Sequence, residues 1–322
     1  MNTNYQNKII KKTSNFRPPA MYPVYPPYHE GHYIEEYFYN YFINNNIQTQ
    51  RLYIPIFWTN INNNFSYNKG DRIKFEKYLL KLDRNEKYFT ICQHEDLTDN
   101  NKINLNPDIT SIRSLPEDTI IFCGSGKITD RYKSNNIICM PHVVSKMKNI
   151  NFDKKRNIFC SFIGGNTHPV RQKIFDLFEG DDKFYIRLQN WRIDIEKYKE
   201  YEFKDITERS IFSLCPRGNG PTSYRILESF QLGAIPVYIY DNKWIPWESD
   251  INWEDICVFV HVDQVDALKT ILLNISENRI GYMREQIRKV YEKYFTMDKV
   301  CETIVQKLKD EEDLMEGSIN EL

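Results

Sequence analysis

Short apolar runs rich in β-branched and aromatic residues recur along this 322-residue chain, and between many of them stand stretches with helical spacing. Three such runs come early: YFTICQ (88–93), TIIFCG (119–124) and NIICMP (136–141). Five come later: NIFCSFIGG (157–165), KFYIRL (183–188), IFSLCP (211–216), IPVYIY (235–240) and CVFVHV (257–262). A run that is apolar on both faces suits the interior of a parallel sheet, where helical crossovers cover both sides. Strands alternating with helices predict a doubly wound α/β sheet, and two series predict two of them with a junction near residues 145–156. A length of 322 residues favours the same division into two domains of roughly 150 residues each.

The boundaries follow from what lies outside the two series. Residues 1–20 are polar and end on a proline pair, which predicts a loose tail. Residues 21–150 form the first α/β domain in this reading, 151–300 the second, and 301–322 a terminal amphipathic helix with an acidic end. Within the first domain, Tyr33 to Phe42 has helical spacing, LYIPIFW (52–58) reads as a strand and FEKYLLKL (75–82) as an amphipathic helix. In the second, PVRQKIFDLFEG follows a glycine pair and places Val170, Ile174, Leu177 and Phe178 on a helical stripe.

Composition narrows the function classes. With 41% hydrophobic and 14% aromatic residues the chain is that of a folded globular protein. Residues 1–150 hold 19 Lys and Arg against 14 Asp and Glu, and the remainder 24 against 30, so neither half carries the clustered basic face that a nucleic-acid binder needs. The seven cysteines form no CxxC pair, and Cys92, Cys123, Cys139 and Cys160 sit in or beside apolar runs, as reduced, buried thiols do. No stretch reaches the ~20 apolar residues of a membrane span, and the N-terminus has no apolar signal region. These features predict a soluble cytoplasmic protein.

The stretch FSLCPRGNGPTSYRILESFQLGAIPVYIYD (212–241) holds the densest chemistry. If IFSLCP and IPVYIY are neighbouring parallel strands, the turn from Arg217 to Ser223 opens at the carboxyl edge of the sheet, where ligands bind. Gly218 and Gly220 let the backbone approach a ligand, and Pro221 suits a first helical turn. A helix from about Pro221 to Leu232 would then aim free N–H groups at the turn, with hydroxyls from Thr222 and Ser223 and charge from Arg217 and Arg225. The same residues also suit an ordinary turn, and Arg225 with Glu228 an ordinary surface ion pair. Tyr224, Leu227 and Phe230, with Gln231, make the core-facing stripe of that helix, flanked by Arg225, Glu228 and Ser229.

In its Pro-x-Gly turn, Ser-x-Arg-x-x-Glu helix start and Gly-x-Ile-Pro-Val strand, this stretch resembles the signature of the exostosin-like inverting glycosyltransferases, glycosyltransferase family 47. FIGGNTHPVRQKIF resembles the first strand, loop and helix of the same domain, and the likeness extends loosely over residues 155–300. The resemblance implies a GT-B architecture: two Rossmann-like domains facing across a cleft, the C-terminal one holding a nucleotide sugar. It implies that Glu228 bonds the ribose hydroxyls, that Thr222, Ser223 and adjacent amides hold the diphosphate, and that Arg225, with Arg171 second, neutralises the leaving group. It further implies a donor that is a UDP-sugar, no required metal or other cofactor, and an acceptor that is a glycan or a protein-linked or lipid-linked hydroxyl. Gly164 and Gly165, with His168 and Arg171 beside them, belong to a loop that faces the donor phosphates in such enzymes.

An inverting transferase also needs a general base for the acceptor hydroxyl. His94, Glu95 and Asp96 directly follow a predicted strand and are the first candidates, with His29, His32, Glu35 and Glu36 as competitors; a polar capping loop is the plain alternative. Gly124-Ser125-Gly126 forms another turn at a strand end. The metal-dependent alternative would carry Asp-x-Asp after a strand, whereas Asp181-Asp182 and Asp194-Ile195-Glu196 follow none, and the six histidines show no HExxH spacing. Two rivals remain open at this point: a non-catalytic nucleotide-sugar or glycan-binding protein on the same fold, and a nucleotidyl or phosphoryl transferase, which lacks its GxxxxGK[ST] loop here. A GDP-sugar donor, as in the fucosyltransferase class, is a third variant.

Overall fold

A computed structural model of the chain describes residues 3–19, 33–63, 69–93, 114–124, 137–142, 144, 146–148, 150–189, 197–218 and 220–320. The described residues divide into two compact units, the first built from those up to 140 together with 297 onward, the second from those between 141 and 296.

The first unit opens with α1 (Thr3–Lys12), where the sequence predicts a loose tail. Two buried side chains explain the difference. Ile9 packs into the core, and Gln6 exchanges two hydrogen bonds with the backbone of Tyr53, its Nε2 donating to the carbonyl at 3.0 Å and its Oε1 accepting from the amide at 2.8 Å. These bonds satisfy backbone groups of an edge strand that no neighbouring strand would reach. The helix α2 (Ile34–Asn44) lays Phe38 and Phe42 against the rings of Tyr53 and Phe89. The strand expected over 52–58 is ladder-paired only at β1 (Leu52–Tyr53). Pro55 has no N–H to continue the ladder, and the chain turns into α3 (Trp58–Asn63), followed by α4 (Lys69–Leu79). With β2 (Tyr88–Cys92), β3 (Ile120–Cys123) and β4 (Ile137–Cys139) they form an all-parallel sheet in the order β1-β2-β3-β4. Cys92 and Cys123 are buried as expected, while Cys139 is only half-buried.

The second unit is one five-stranded parallel sheet: β5 (Ile158–Gly165), β6 (Phe184–Gln189), β7 (Ser210–Pro216), β8 (Ile235–Tyr240) and β9 (Val258–His261), in the order β6-β5-β7-β8-β9. Both units are therefore Rossmann-like α/β assemblies. Connecting helices are α5 (Pro169–Phe178), α6 (Lys197–Glu208), α7 (Arg225–Gln231), α8 (Leu268–Leu273) and α9 (Glu277–Tyr294). On α5 the buried stripe is Val170, Ile174 and Phe178, and Leu177, expected in it, is exposed. On α7 the ring of Phe230 stacks on Phe295 and lies near Trp253.

The last helix, α10 (Met297–Asn320), belongs to the first unit and is no independent tail. Met297, Val300, Cys301, Ile304 and Leu308 are buried at helical spacing. Asp298 accepts a hydrogen bond from the Tyr37 hydroxyl at 2.7 Å, and Glu311 receives both Nε and Nη2 of Arg51, at 2.7 and 2.5 Å. None of the described helices is long and apolar enough to cross a membrane.

Candidate functional site

In the second unit every strand runs the same way, so five carboxyl ends share one edge. Strand order reverses between β5 and β7, because the chain steps outward from β5 to β6 and then crosses back to β7. Loops leaving two such strands diverge to opposite faces and open a crevice, the usual ligand position of open α/β sheets. The loops concerned are residues 166–168 after β5 and residues 217–224 after β7, the turn singled out in the sequence.

Arg171, in the first turn of α5, ties the two loops together. Its Nη1 donates to the Gly165 carbonyl at 2.9 Å, its Nη2 to Pro216 at 3.0 Å and its Nε to Arg217 at 2.9 Å. The residue expected as a second cation for the leaving group thus stands at the crevice as a strut between the loops. A Cβ at Gly218 would lie 3.0 Å from Arg171 Nη2 and 3.3 Å from Thr167 Oγ1, so a larger residue there would require the strut or Thr167 to shift by a few tenths of an ångström. A Cβ at Gly164 would meet the Phe162 ring at 2.8 Å. His168 caps α5, its Nδ1 accepting from the Val170 amide at 3.3 Å, which is the helix-flanking role.

Arg217 is buried and binds the Asp241 carboxylate, while its amide donates to the Ile239 carbonyl at 3.0 Å. Burial pushes the Asp241 carboxyl up, but hydrogen bonds from Arg217 and from the Asn242 amide outweigh it and hold the group below the usual carboxylate range. The loops after β7 and β8 are joined a second time by Tyr238. Its hydroxyl donates to the Pro221 carbonyl at 2.8 Å and accepts from the Trp244 amide at 3.2 Å. Tyr238 was legible only as a core residue of IPVYIY. A signal was available, since a tyrosine buried in a central strand needs a partner for its hydroxyl.

Helix α7 begins at Arg225, four residues later than the sequence predicts. Pro221 is held outside it by Tyr238, and the Ser223 hydroxyl accepts from the Arg225 amide at 3.3 Å, a local turn that competes with helix. Gly220 is buried and Thr222 half-buried in the bends ahead of the helix. Ser229, expected on the flank, is buried, and its hydroxyl donates to the Arg225 carbonyl at 2.6 Å. Tyr224, expected in the core stripe, is half-buried with its ring 4.3 Å from that of His142.

Arg225 points from α7 across β5. Its Nη2 donates to the Ile163 carbonyl at 2.7 Å, and the guanidinium lies 3.7 Å from the centroid of the Phe203 ring on α6. Its buried Nη1 stands 3.2 Å from Glu228 Oε2, an ion pair without hydrogen-bond alignment. Arg225 and Glu228 are thus neighbours beside the crevice, with side chains 17% and 16% exposed. Arg171 lies in the first turn of α5, Arg217, Gly218, Thr222 and Ser223 on the loop after β7, and Arg225 and Glu228 at the start of α7.

Of the acceptor-side candidates, His94, Glu95 and Asp96 lie outside the described residues, as do His29, His32, Ser125 and Gly126. Glu35 and Glu36 are buried in the first unit and occupied. Glu35 accepts from the Thr59 amide and hydroxyl and from the Gln93 amide; Glu36 accepts from the Tyr33 amide and the Asn60 side chain. Burial dominates at Glu35 and raises its pKa to about 8, against those hydrogen bonds, which pull it down.

Residues 94–275, more than half of the chain, match the model of the exostosin GT47 domain. The chain belongs to the exostosin GT47 family. The matched region begins well upstream of the residues that carry the resemblance in the sequence and includes the whole crevice of the second unit. Among exostosin GT47 relatives, exostosin-1 of Drosophila melanogaster is 28% identical over 179 residues, which are 50% of this chain and 23% of that protein. A rice protein named probable glucuronosyltransferase GUT1 is 40% identical over 112 residues, 35% of this chain and 25% of its own. The chain thus spans about a quarter of the length of these two relatives. The solved structure of TarM aligns over 74% of this chain and 53% of its own at 10% identity, with a TM-score of 0.44.

Proposed function

We propose that this exostosin GT47 chain is an inverting glycosyltransferase that moves a sugar from a nucleoside-diphosphate sugar, first of all a UDP-sugar, to a hydroxyl of a glycan or of a protein-linked or lipid-linked acceptor, without a bound metal. The observation that carries the reading is a fixed guanidinium, Arg225, beside a carboxylate, Glu228, at the reversal point of a parallel sheet, next to a turn that Gly218 lets pack closely against Arg171.

As the bond between the anomeric carbon and the diphosphate stretches, positive charge grows on the sugar ring and negative charge on the departing phosphate. A pre-placed cation at the phosphate favours that state over the ground state without reorganising at the moment of reaction. Arg225 has this role, held ready by its bond to the Ile163 carbonyl. Amides and hydroxyls of Thr222 and Ser223 receive the phosphates, and Glu228 accepts from the ribose hydroxyls. Arg171 acts on the site by joining the two loops that border it. The acceptor proton passes to a general base among His94, Glu95 and Asp96.

Calorimetric titration with UDP, GDP and CMP, with and without EDTA, tests the donor site. Saturable binding of one nucleotide that survives EDTA is expected. Binding of none removes the donor site from this crevice; binding without release of nucleotide from its sugar donor in the presence of glycan acceptors would favour a non-catalytic binding protein.

A further inference from the structure

Arg225 is the charge on which the proposed reaction turns, and its neighbours decide where that charge sits. One of them has no place in the donor site: Phe203, in the middle of α6. Here the ring stands 3.7 Å from the guanidinium carbon, close enough for direct face contact between the two planar groups. Helix α6 is itself firmly held. Ile206 and Thr207, one turn further along the same face as Phe203, are buried. The Ser210 hydroxyl donates to the Ile206 carbonyl at 2.7 Å, and Lys154 reaches both Asp205, at 2.7 Å, and Glu208, at 3.0 Å. Glu202, beside Phe203, accepts from the Tyr185 hydroxyl at 3.0 Å and from Arg187.

We infer that Phe203 is a positioning residue: its ring face and the Ile163 carbonyl clamp the Arg225 guanidinium in the plane that meets the leaving diphosphate. The inference rests on the proposed donor site. A long side chain loses rotamer freedom when fixed, and each of its contacts removes some of that freedom before substrate arrives. The carbonyl fixes one nitrogen, Nη2, and leaves the group able to swing about that bond. The aromatic face stops the swing, and it attracts the cation electrostatically, as an aliphatic side chain of the same bulk does not. Glu228 alone does not replace it, because its approach to Nη1 lacks hydrogen-bond alignment.

Free nucleoside diphosphate reports on this clamp better than the sugar donor does, since its terminal phosphate carries the charge that the leaving group acquires in the reaction. The monophosphate lacks that phosphate and serves as the internal control. We would titrate UDP against UMP, and GDP against GMP in parallel, into the full-length wild type, Phe203→Leu, Phe203→Tyr, Arg225→Gln and the Phe203→Leu/Arg225→Gln double variant, recording the melting temperature of each. Expected for Phe203→Leu is a loss of roughly five- to tenfold in diphosphate affinity, the size of one partly desolvated cation–π contact, with monophosphate affinity unchanged. Phe203→Tyr should restore the wild-type ratio, and in the Arg225→Gln background the leucine should cost nothing more. A diphosphate-to-monophosphate ratio that stays at the wild-type value in Phe203→Leu, or a tyrosine variant that behaves like the leucine, overturns the inference while leaving the donor site standing. Should the wild type bind neither member of either pair, the donor site falls, and the clamp with it.

Discussion

Arg225 and Glu228 are joined in one ion pair, yet their substitutions should read out differently. Removing a cation that acts mainly on the developing charge lowers turnover: Arg225→Ala is expected to reduce kcat about a hundredfold with little change in donor KM. Removing an acceptor of ribose hydroxyls acts in the ground state as well, so Glu228→Ala should weaken nucleotide affinity by roughly tenfold or more in calorimetry. Equal behaviour of the two variants would mean that the pair works only as a structural unit. Tyr238→Phe tests the fastening of the turn. It leaves the Trp244 amide and the Pro221 carbonyl without the hydroxyl that serves both, at a cost of about 1–3 kcal/mol each if they stay dry, seen as a lower melting temperature together with weaker nucleotide binding. Arg225 and Glu228 were legible as a pair from their spacing in Ser-x-Arg-x-x-Glu. Phe203, Ile163 and Tyr238 were not, because they reach the site through space from α6, β5 and β8.

The start of α2 carries two buried carboxyls against the end of β2, and Glu35 gives this junction a pH dependence. Its folded pKa, about 8, lies above the 4.5 usual for a glutamate in the unfolded chain, so the folded state holds the proton more tightly. Its contribution to stability is therefore complete below about pH 4.5 and declines as pH rises toward 8. Urea midpoints of the first unit should fall across that window, and Glu35→Gln should flatten this part of the slope even if the variant is less stable throughout. A slope unchanged by Glu35→Gln would assign the pH dependence to other groups. Helix α7 shows why element boundaries escape a sequence reading. Its apolar spacing fits a start at Pro221, but the bond between Tyr238 and Pro221 and the local turn at Ser223 delay the helix to Arg225. Similarly, Pro55 announced a break in LYIPIFW, and the apolar character of the run hid it.

At the scale of the whole molecule the chain leaves its first unit at residue 140, builds the second, and returns at 297 to complete the first. The buried stripe of α10 from Met297 to Leu308 contributes on the order of 10 kcal/mol of apolar burial to that unit, as much as a domain's entire net stability. A chain ending at residue 296 is therefore expected to lose the cooperative melt of the first unit and retain that of the second, which circular dichroism and calorimetry would separate. Retention of both transitions would show that α10 is dispensable. The sequence by itself determined the class of fold and pointed to the candidate site: periodicity of 2 against 3.6, with glycine and proline at the turns, is a local property and marks parallel strands, crossovers and the turns between them wherever it occurs. The tertiary structure alone decided which unit α10 completes, that Thr3–Lys12 is a helix seated on an edge strand, and which side chains hold Arg225 in place. Those outcomes depend on which surfaces meet after the chain has closed, and contacts between residues from different elements leave no period in the sequence.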